Sequence, residues 1–470
     1  MVVSGSGMKS WWVVIALSIL PNMQNYGVVD ADQAPQVPCF FIFGDSLVDC
    51  GNNNHLHTQA KVNYEPYGID YPNGPTGRFC NGRTIVDIMA ELLGFRNHIP
   101  PFASVSASQI LKGVNYASGS AGILHDTGKH MGDCISLGRQ LKHHKTTVSH
   151  ISDLVGGRSS ARKYLANCLY WLAIGNNDYI NNYFMPKHYS SSRHYTPEQY
   201  ADLLIKQYSR KIMSLYKYGA RKIALIGLGL IGCSPNAMLS HSKDGSGPVC
   251  VDSMNKAVLI FNKQLKSLSD RLNANSTEAQ FIYINPYETD SNNSSTSLGF
   301  EVMNVGCCPV NEIGQCDPSK TPCEKRNSYV FWDSFHPTEA ANLVTAQNIY
   351  TRSDLIQLLQ SSNDNKSGLS SSSKRLLARI IMVETRSTAT GKKSIGHMAV
   401  DSIYGVNEKK PTVSAAVGDV NEHKETDEPV VPWMSLNRDL IPDRGTGTKW
   451  LKSEKRLVES VNQLNSPREI

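Results

Sequence analysis

Four short stretches of this sequence carry residue types that can act together on an acyl group. "FIFGDSLVDCGNNN" (Phe41 to Asn54) places Ser46 where an apolar run gives way to Gly44 and Asp45. A serine hydroxyl is inert until a base takes its proton and donors hold the oxyanion that forms. "VFWDSFHPTEAAN" offers that base, with Asp333 three residues before His336. Within a turn leading into a helix, that separation lets both side chains point the same way. A carboxylate on one ring nitrogen fixes the tautomer and leaves the other nitrogen free for a serine proton. "GNND" (Gly175 to Asp178) ends an apolar run and offers the side-chain N–H of Asn177. "YASGSAG" offers Gly119, whose missing side chain lets a backbone N–H come close to a site. Each piece also has an ordinary reading, because Gly, Asp, Asn and Ser all favour turns. The Gly-x-Ser-x-Gly elbow of α/β-hydrolases is absent from the sequence. The four stretches therefore matter only if the fold brings them to one place.

The elements between them support that. "CFFIF" precedes Gly44, and "CLYWLAIG" (Cys168 to Gly175) is a continuous apolar run of the kind a strand buried on both faces requires. "RKIALIGLGLIG" and "AQFIYINPY" read as further strands, and "GVNYAS" as a short extended piece. Helical patterns alternate with them. "GRTIVDIMAELLGF" ends at Gly94. "TPEQYADLLIKQYSRKIMSLYKYG" has Thr196 as N-cap, Pro197 at the first helical position, Gln199 completing a capping box and Gly219 as C-cap. "VDSMNKAVLIFNKQLKSLSDRL" is amphipathic, and "HPTEAANLVTAQNIY" closes the series with Pro337 fitting a first helical position. Strands alternating with helices imply an α/β fold whose parallel sheet is covered on both faces. Ligands in such open sheets bind beyond the carboxyl ends of the strands, which is where "FGDS" and "IGNND" sit.

The chain has 470 residues, 40% hydrophobic and 19% charged, with a formal charge of +6 and no long basic run. That is ample for a large core and gives nucleic-acid binding no support. Lys9 precedes "WWVVIALSIL" (Trp11 to Leu20), too short to span a bilayer comfortably, so residues 1–31 read as a secretory signal with cleavage after Ala31 or Ala34. The 11 cysteines fit an oxidising compartment: four crowd into the stretch from Cys307 to Cys323, no Cys-x-x-Cys pair points to zinc, and the odd total leaves a thiol unpaired. Asn275, Asn292, Asn293 and Asn365 each begin a glycosylation tripeptide. After Ser361 the chain becomes rich in Lys, Glu, Asp, Ser and Thr and loses periodicity. Residues 361–470 read as a mostly disordered extension of a domain covering 36–360.

Taken together, the blocks resemble the GDSL esterases and lipases of plants, within the SGNH hydrolase superfamily. "FGDSLVDCGNNN" carries the naming motif Gly44, Asp45, Ser46 and Leu47. "GVNYASGSAGIL" is similar to the family's glycine block, "IGNNDYINNY" to its Gly-x-Asn-Asp block and "FWDSFHPTEAAN" to its Asp-x-x-His block. The "IGCSPN" segment and the cysteine loop also resemble plant members, and the similarity runs from about Pro38 to Leu359. The resemblance implies a three-layer α/β/α sandwich around a central parallel sheet, flavodoxin-like. It implies Ser46 as nucleophile, His336 as base and Asp333 as its orienting group. It implies an oxyanion hole from the N–H groups of Ser46 and Gly119 and the Asn177 side chain, with Asp45 supporting the turn. Against the family pattern, Ser120 stands where a second Gly is usual, Asn176 where Ser is frequent and Pro309 where Gly is frequent. Ser120 bears directly on how the loop presents Gly119.

These features imply a secreted serine hydrolase of carboxylic esters that needs no metal or organic cofactor and keeps no membrane span once its signal is removed. An acyltransferase would use the same acyl-enzyme with an alcohol in place of water. A non-catalytic carbohydrate- or partner-binding protein on the same fold would be expected to lack Ser, Asp or His from the blocks, and all three are present.

Overall fold

Every residue of β1, Phe40–Gly44, is buried, as a strand covered on both faces requires. In the computed structural model, which describes residues 34–241, 249–276, 278–286 and 300–361, this strand begins a parallel sheet. Its partners are β2 (Leu169–Ala173), β3 (Lys222–Ile226) and β4 (Gln280–Ile284), in the order β1-β2-β3-β4. The register sets Gly44 beside Ala173, so the strands carrying "FGDS" and "IGNND" end level with each other. The "GVNYAS" segment runs parallel along the free edge of β1. Ile42 N–H donates to Val114 O at 3.1 Å, Tyr116 N–H to Ile42 O at 2.8 Å and Ser118 N–H to Gly44 O at 3.2 Å. It forms isolated bridges instead of a full strand, yet it delivers the glycine block to the same edge.

Helices close both faces. On one, Phe40, Ile42, Trp171, Ala224 and Ile226 pack against α1 (Ile85–Leu92), α6 (Glu339–Tyr350) and α7 (Ser353–Gln360). On the other, Phe41 and Phe43 meet Tyr116, Tyr170 and His144. His144 belongs to α2 (Leu137–Leu154), which is followed by α3 (Arg158–Leu165). The same layer holds α4 (Pro197–Tyr218), whose Tyr208 hydroxyl reaches Leu172 O at 3.5 Å, and α5 (Asp252–Ala274) packed along α4. The result is the expected α/β/α sandwich. The aromatic side chains of β1 are fully buried, and each contributes about 2–3 kcal/mol relative to exposure.

Local chemistry sets the ends of these helices. Thr196 caps α4 in a capping box with Gln199, and Gly219 ends it at φ +115°. Thr84 and Asp87 make a second box at α1. One expectation needs correction: Pro337 is not the first helical residue of α6. Thr338 is the N-cap, its hydroxyl accepting from Ala341 N–H, and the helix starts at Glu339. Helices α2 and α3, and a separate two-stranded parallel sheet of β5 (Val302–Gly306) and β6 (Tyr329–Phe331), add to the elements read from the sequence.

Four disulfides take eight of the 11 cysteines: Cys39–Cys168, Cys233–Cys250, Cys307–Cys323 and Cys308–Cys316. Cys50, Cys80 and Cys134 are free and buried. The expected signal segment, the extension after Ser361 and the tripeptides at Asn292, Asn293 and Asn365 lie outside the described residues. Asn275 is exposed at the end of α5.

Candidate active site

The nucleophile turn begins where β1 has no room for a side chain. A Cβ on Gly44 would lie 2.3 Å from Val48 Cγ2 and 2.8 Å from Ala173 O. The Gln140 side chain grips both backbone groups of Gly44, accepting from its N–H at 3.0 Å and donating to its carbonyl at 2.8 Å. The chain then makes one tight turn, with Val48 and Asp49 N–H donating to Asp45 O and Leu47 N–H donating to Asp45 Oδ1 at 3.1 Å. Asp45 therefore supports the turn. Burial pushes its carboxyl up to about 6. The turn presents Ser46, whose Oγ is 2.8 Å from His336 Nε2.

Asp333 and His336 sit between β6 and α6. Asp333 Oδ2 is 2.7 Å from His336 Nδ1, and its Oδ1 accepts from the N–H groups of Phe335 and His336 at 2.8 Å each. The Tyr67 hydroxyl donates to Oδ2 at 2.6 Å and itself accepts from Cys316 N–H at 3.1 Å. A fully buried carboxylate thus has four donors, which offsets the cost of removing its charge from water. Phe79 covers the imidazole, ring centroids 4.9 Å apart.

Asn177 follows the end of β2. Asn181 Nδ2 donates to Asn177 Oδ1 at 2.7 Å, which turns the Asn177 amide nitrogen the other way, where it donates to Ala121 O at 3.0 Å. An amide nitrogen carries two hydrogens, so one remains for a ligand. Gly119 departs from expectation. Its N–H donates to Asp49 Oδ2 at 3.0 Å, so the donor foreseen for an oxyanion is engaged inside the protein. Ser46, Asn177, Ser120 and His336 line one cavity of about 1220 Å³. Its walls include Ile180, Phe184, Ile231 and Phe335. Among the described residues no group of three or more His, Cys, Asp or Glu side chains could hold a metal.

Residues 40–349 match the GDSL-like Lipase/Acylhydrolase family. The chain belongs to that family. One GDSL esterase/lipase of Arabidopsis thaliana is 52% identical over 350 residues, covering 73% of this chain and 94% of its own. A second is 50% identical over 321 residues (67% and 87%), and a third 49% over 327 residues (68% and 90%). This GDSL hydrolase is accordingly a carboxylic ester hydrolase. No helix among its described residues is long and apolar enough to cross a membrane.

Some supporting residues of the GDSL site carried no local signal. Tyr67 reaches Asp333 across 266 positions of sequence, and nothing around "EPYG" marks it. The asparagines after Cys50, which end the nucleophile motif, have a structural role. Asn52 Nδ2 donates to Asn115 O and Ala117 O, and Asn53 Nδ2 to Ala60 O and Gly119 O. They fasten the glycine block to the nucleophile turn.

Proposed function

We propose that this GDSL hydrolase cleaves its ester through an acyl-enzyme on Ser46. The observation that carries the reading is the continuous chain from Ser46 Oγ through His336 to Asp333, with contacts of 2.8 and 2.7 Å, at the wall of a ligand-sized cavity. His336 Nε2 takes the Ser46 proton as Oγ bonds to the acyl carbon. The carbonyl oxygen becomes an oxyanion, which Ser46 N–H, the free Asn177 N–H and the glycine loop stabilise. The intermediate collapses, the bond to the alcohol oxygen breaks, and His336 gives that oxygen its proton. Water then adds to the acyl carbon while His336 takes its proton. The Ser46–acyl bond breaks, the acid leaves and the proton returns to Oγ. Asp333 stays ionised and keeps the imidazole oriented.

We also infer secretion. The N-terminal apolar run and four disulfides suit a chain that folds in an oxidising compartment.

The test is hydrolysis of nitrophenyl esters of graded acyl length by the wild type, Ser46→Ala and His336→Ala. Each variant is expected to lose about 10⁴–10⁶-fold in kcat at every chain length. Undiminished turnover in either one overturns the assignment.

A further inference from the structure

We infer that the acyl chain of the ester lies in the branch of the cavity between the sheet and α6, and that Ala341 and Val344 set the chain length the enzyme accepts. The inference deepens the reading of Ser46 as nucleophile and rests on it. The cavity extends to both sides of Ser46. On one side its walls include Gln59, His130, Asn181, His188 and Gln315. Those polar groups suit the alcohol of the ester and the water that later releases the acid. On the other side the cavity passes Ala173 and Ile226, the last residues of β2 and β3, and follows α6. Hydrocarbon dominates there, as a site for an aliphatic chain requires.

Helix α6 is built to be the wall of such a branch. It starts three residues after His336, so it leads away from the reacting atoms. Ala341, Val344, Thr345 and Asn348 all line the cavity, and their spacing puts them on one helix face. Close to the site that face is small and apolar. Thr345 Oγ1 donates to Ala341 O at 2.9 Å, so its hydroxyl is satisfied within the helix. Asn348 ends the stripe with a polar group, about 10 Å from Ala341 at 1.5 Å of rise per residue. Across the branch, Ala173 is half-buried although the four strand residues before it are buried. Ile226, Ala341 and Val344 keep 6%, 8% and 9% of their surface exposed. So little accessible area describes a narrow slot, which admits a flexible methylene chain more readily than a rigid ring. The substrate class that fits is an ester of an unbranched aliphatic acid of medium length.

The test is kcat/KM for nitrophenyl acetate, butyrate, octanoate and benzoate in the wild type and two variants. In the wild type each added methylene up to octanoate is expected to raise kcat/KM about two- to fourfold, the worth of burying it. Benzoate is expected to fall below butyrate. Val344→Phe fills the slot and is expected to lower the octanoate-to-acetate ratio of kcat/KM about 10²-fold. Met185→Trp, on the other side of Ser46, is expected to leave that ratio within about threefold. A ratio that Val344→Phe does not move overturns the inference, and so does a wild type that prefers benzoate to octanoate. Should Val344→Phe not fold, the structure of the wild type carrying an octylphosphonate on Ser46 decides. A chain lying along Ala341 and Val344 bears the inference out. A chain lying against Phe184 and Met185 refutes this inference alone. A phosphonate that never bonds Ser46 refutes the nucleophile assignment and this inference with it.

Discussion

The two sides of the cavity are built by different means. On the nucleophile side, Ser46 follows a strand of the main sheet, and its neighbours are locked by side chains bonded to backbone: Gln140 on Gly44, Asp49 and Asn53 on Gly119, Asn52 on Asn115 and Ala117. On the base side, Asp333 and His336 follow β6, a three-residue strand outside that sheet. There, Cys307 and Cys308 N–H donate to Phe331 and Trp332 carbonyls, both cysteines are in disulfides, and Cys316 N–H holds the tyrosine that holds Asp333. On the nucleophile side the disulfide Cys39–Cys168 ties the starts of β1 and β2, at the ends opposite Ser46, and hydrogen bonds aim the catalytic group. On the base side, covalent links lie in the segment bonded to β6 itself.

Among the groups that support the triad, breaking a disulfide on the base side should hurt catalysis most. Cys308→Ser with Cys316→Ser frees the segment that positions Tyr67, and a displacement of about 1 Å at a reacting group can cost about 10²-fold. We expect kcat to fall by that order with helix and sheet content unchanged by circular dichroism. Full activity would show that β6 alone holds the base. The matching break on the nucleophile side is Asn52→Ala, which takes the partner from the buried Ala117 carbonyl and from Ala103 N–H, while Asn115 O keeps Phe102 N–H. Each costs about 1–3 kcal/mol, so chemical denaturation should show a loss of roughly 2–5 kcal/mol. A loss below about 1 kcal/mol would mean the glycine block is held without it.

Tyr67→Phe removes one neutral donor from an ionised acceptor, worth about 1.5–3 kcal/mol. We expect roughly a tenfold or greater drop in kcat with little change in KM. Equal activity at all pH values would remove Tyr67 from the support of Asp333.

The three residues that join the two sides were legible because each lies in a short motif at the end of an element. Ser46 follows an apolar run, and Asp333 and His336 share one turn. The capping box at Thr196 and Gln199 was legible for the same reason, its signal fitting within four residues. What joins distant segments was not. The Tyr67–Asp333 bond spans 266 positions and the Asp49–Gly119 bond spans 70. No local pattern distinguishes a glycine whose N–H faces a ligand from one whose N–H faces a buried carboxylate. Strands β5 and β6 carry no such signal because most of their residues are half-buried or exposed, so they lack the apolar run that marked β1 to β4.

A smaller, pH-dependent difference separates the layers. His144 is buried among aromatic rings on the face of the sheet covered by α2, and burial pushes its pKa down to about 3 from 6.5. The unfolded chain therefore binds a proton below pH 6.5 that the folded chain refuses until about pH 3. Stability from this group is complete above 6.5 and falls by up to about 1.4 kcal/mol per pH unit on acidification. Asp45, Asp49 and Asp178, pushed up to about 6, 6 and 7 by burial, act in the opposite sense and lose stability as pH rises through those values. His144→Phe should make Tm at pH 4, taken relative to pH 6.5, higher than in the wild type, because a slope opposing that of the aspartates is removed. An unchanged difference would show that His144 does not govern it. Truncation after Gln360 should have the smallest effect, leaving folding and turnover intact, and an insoluble or inactive product would contradict this.

The most direct test of the central claim is stoichiometric labelling with a fluorophosphonate, read by peptide mass mapping. One label is expected, on the peptide containing Ser46, abolished by Ser46→Ala and slowed by orders of magnitude in His336→Ala. A label on any other residue, or labelling that is as fast without His336, would contradict the account of Ser46 as a nucleophile activated by His336.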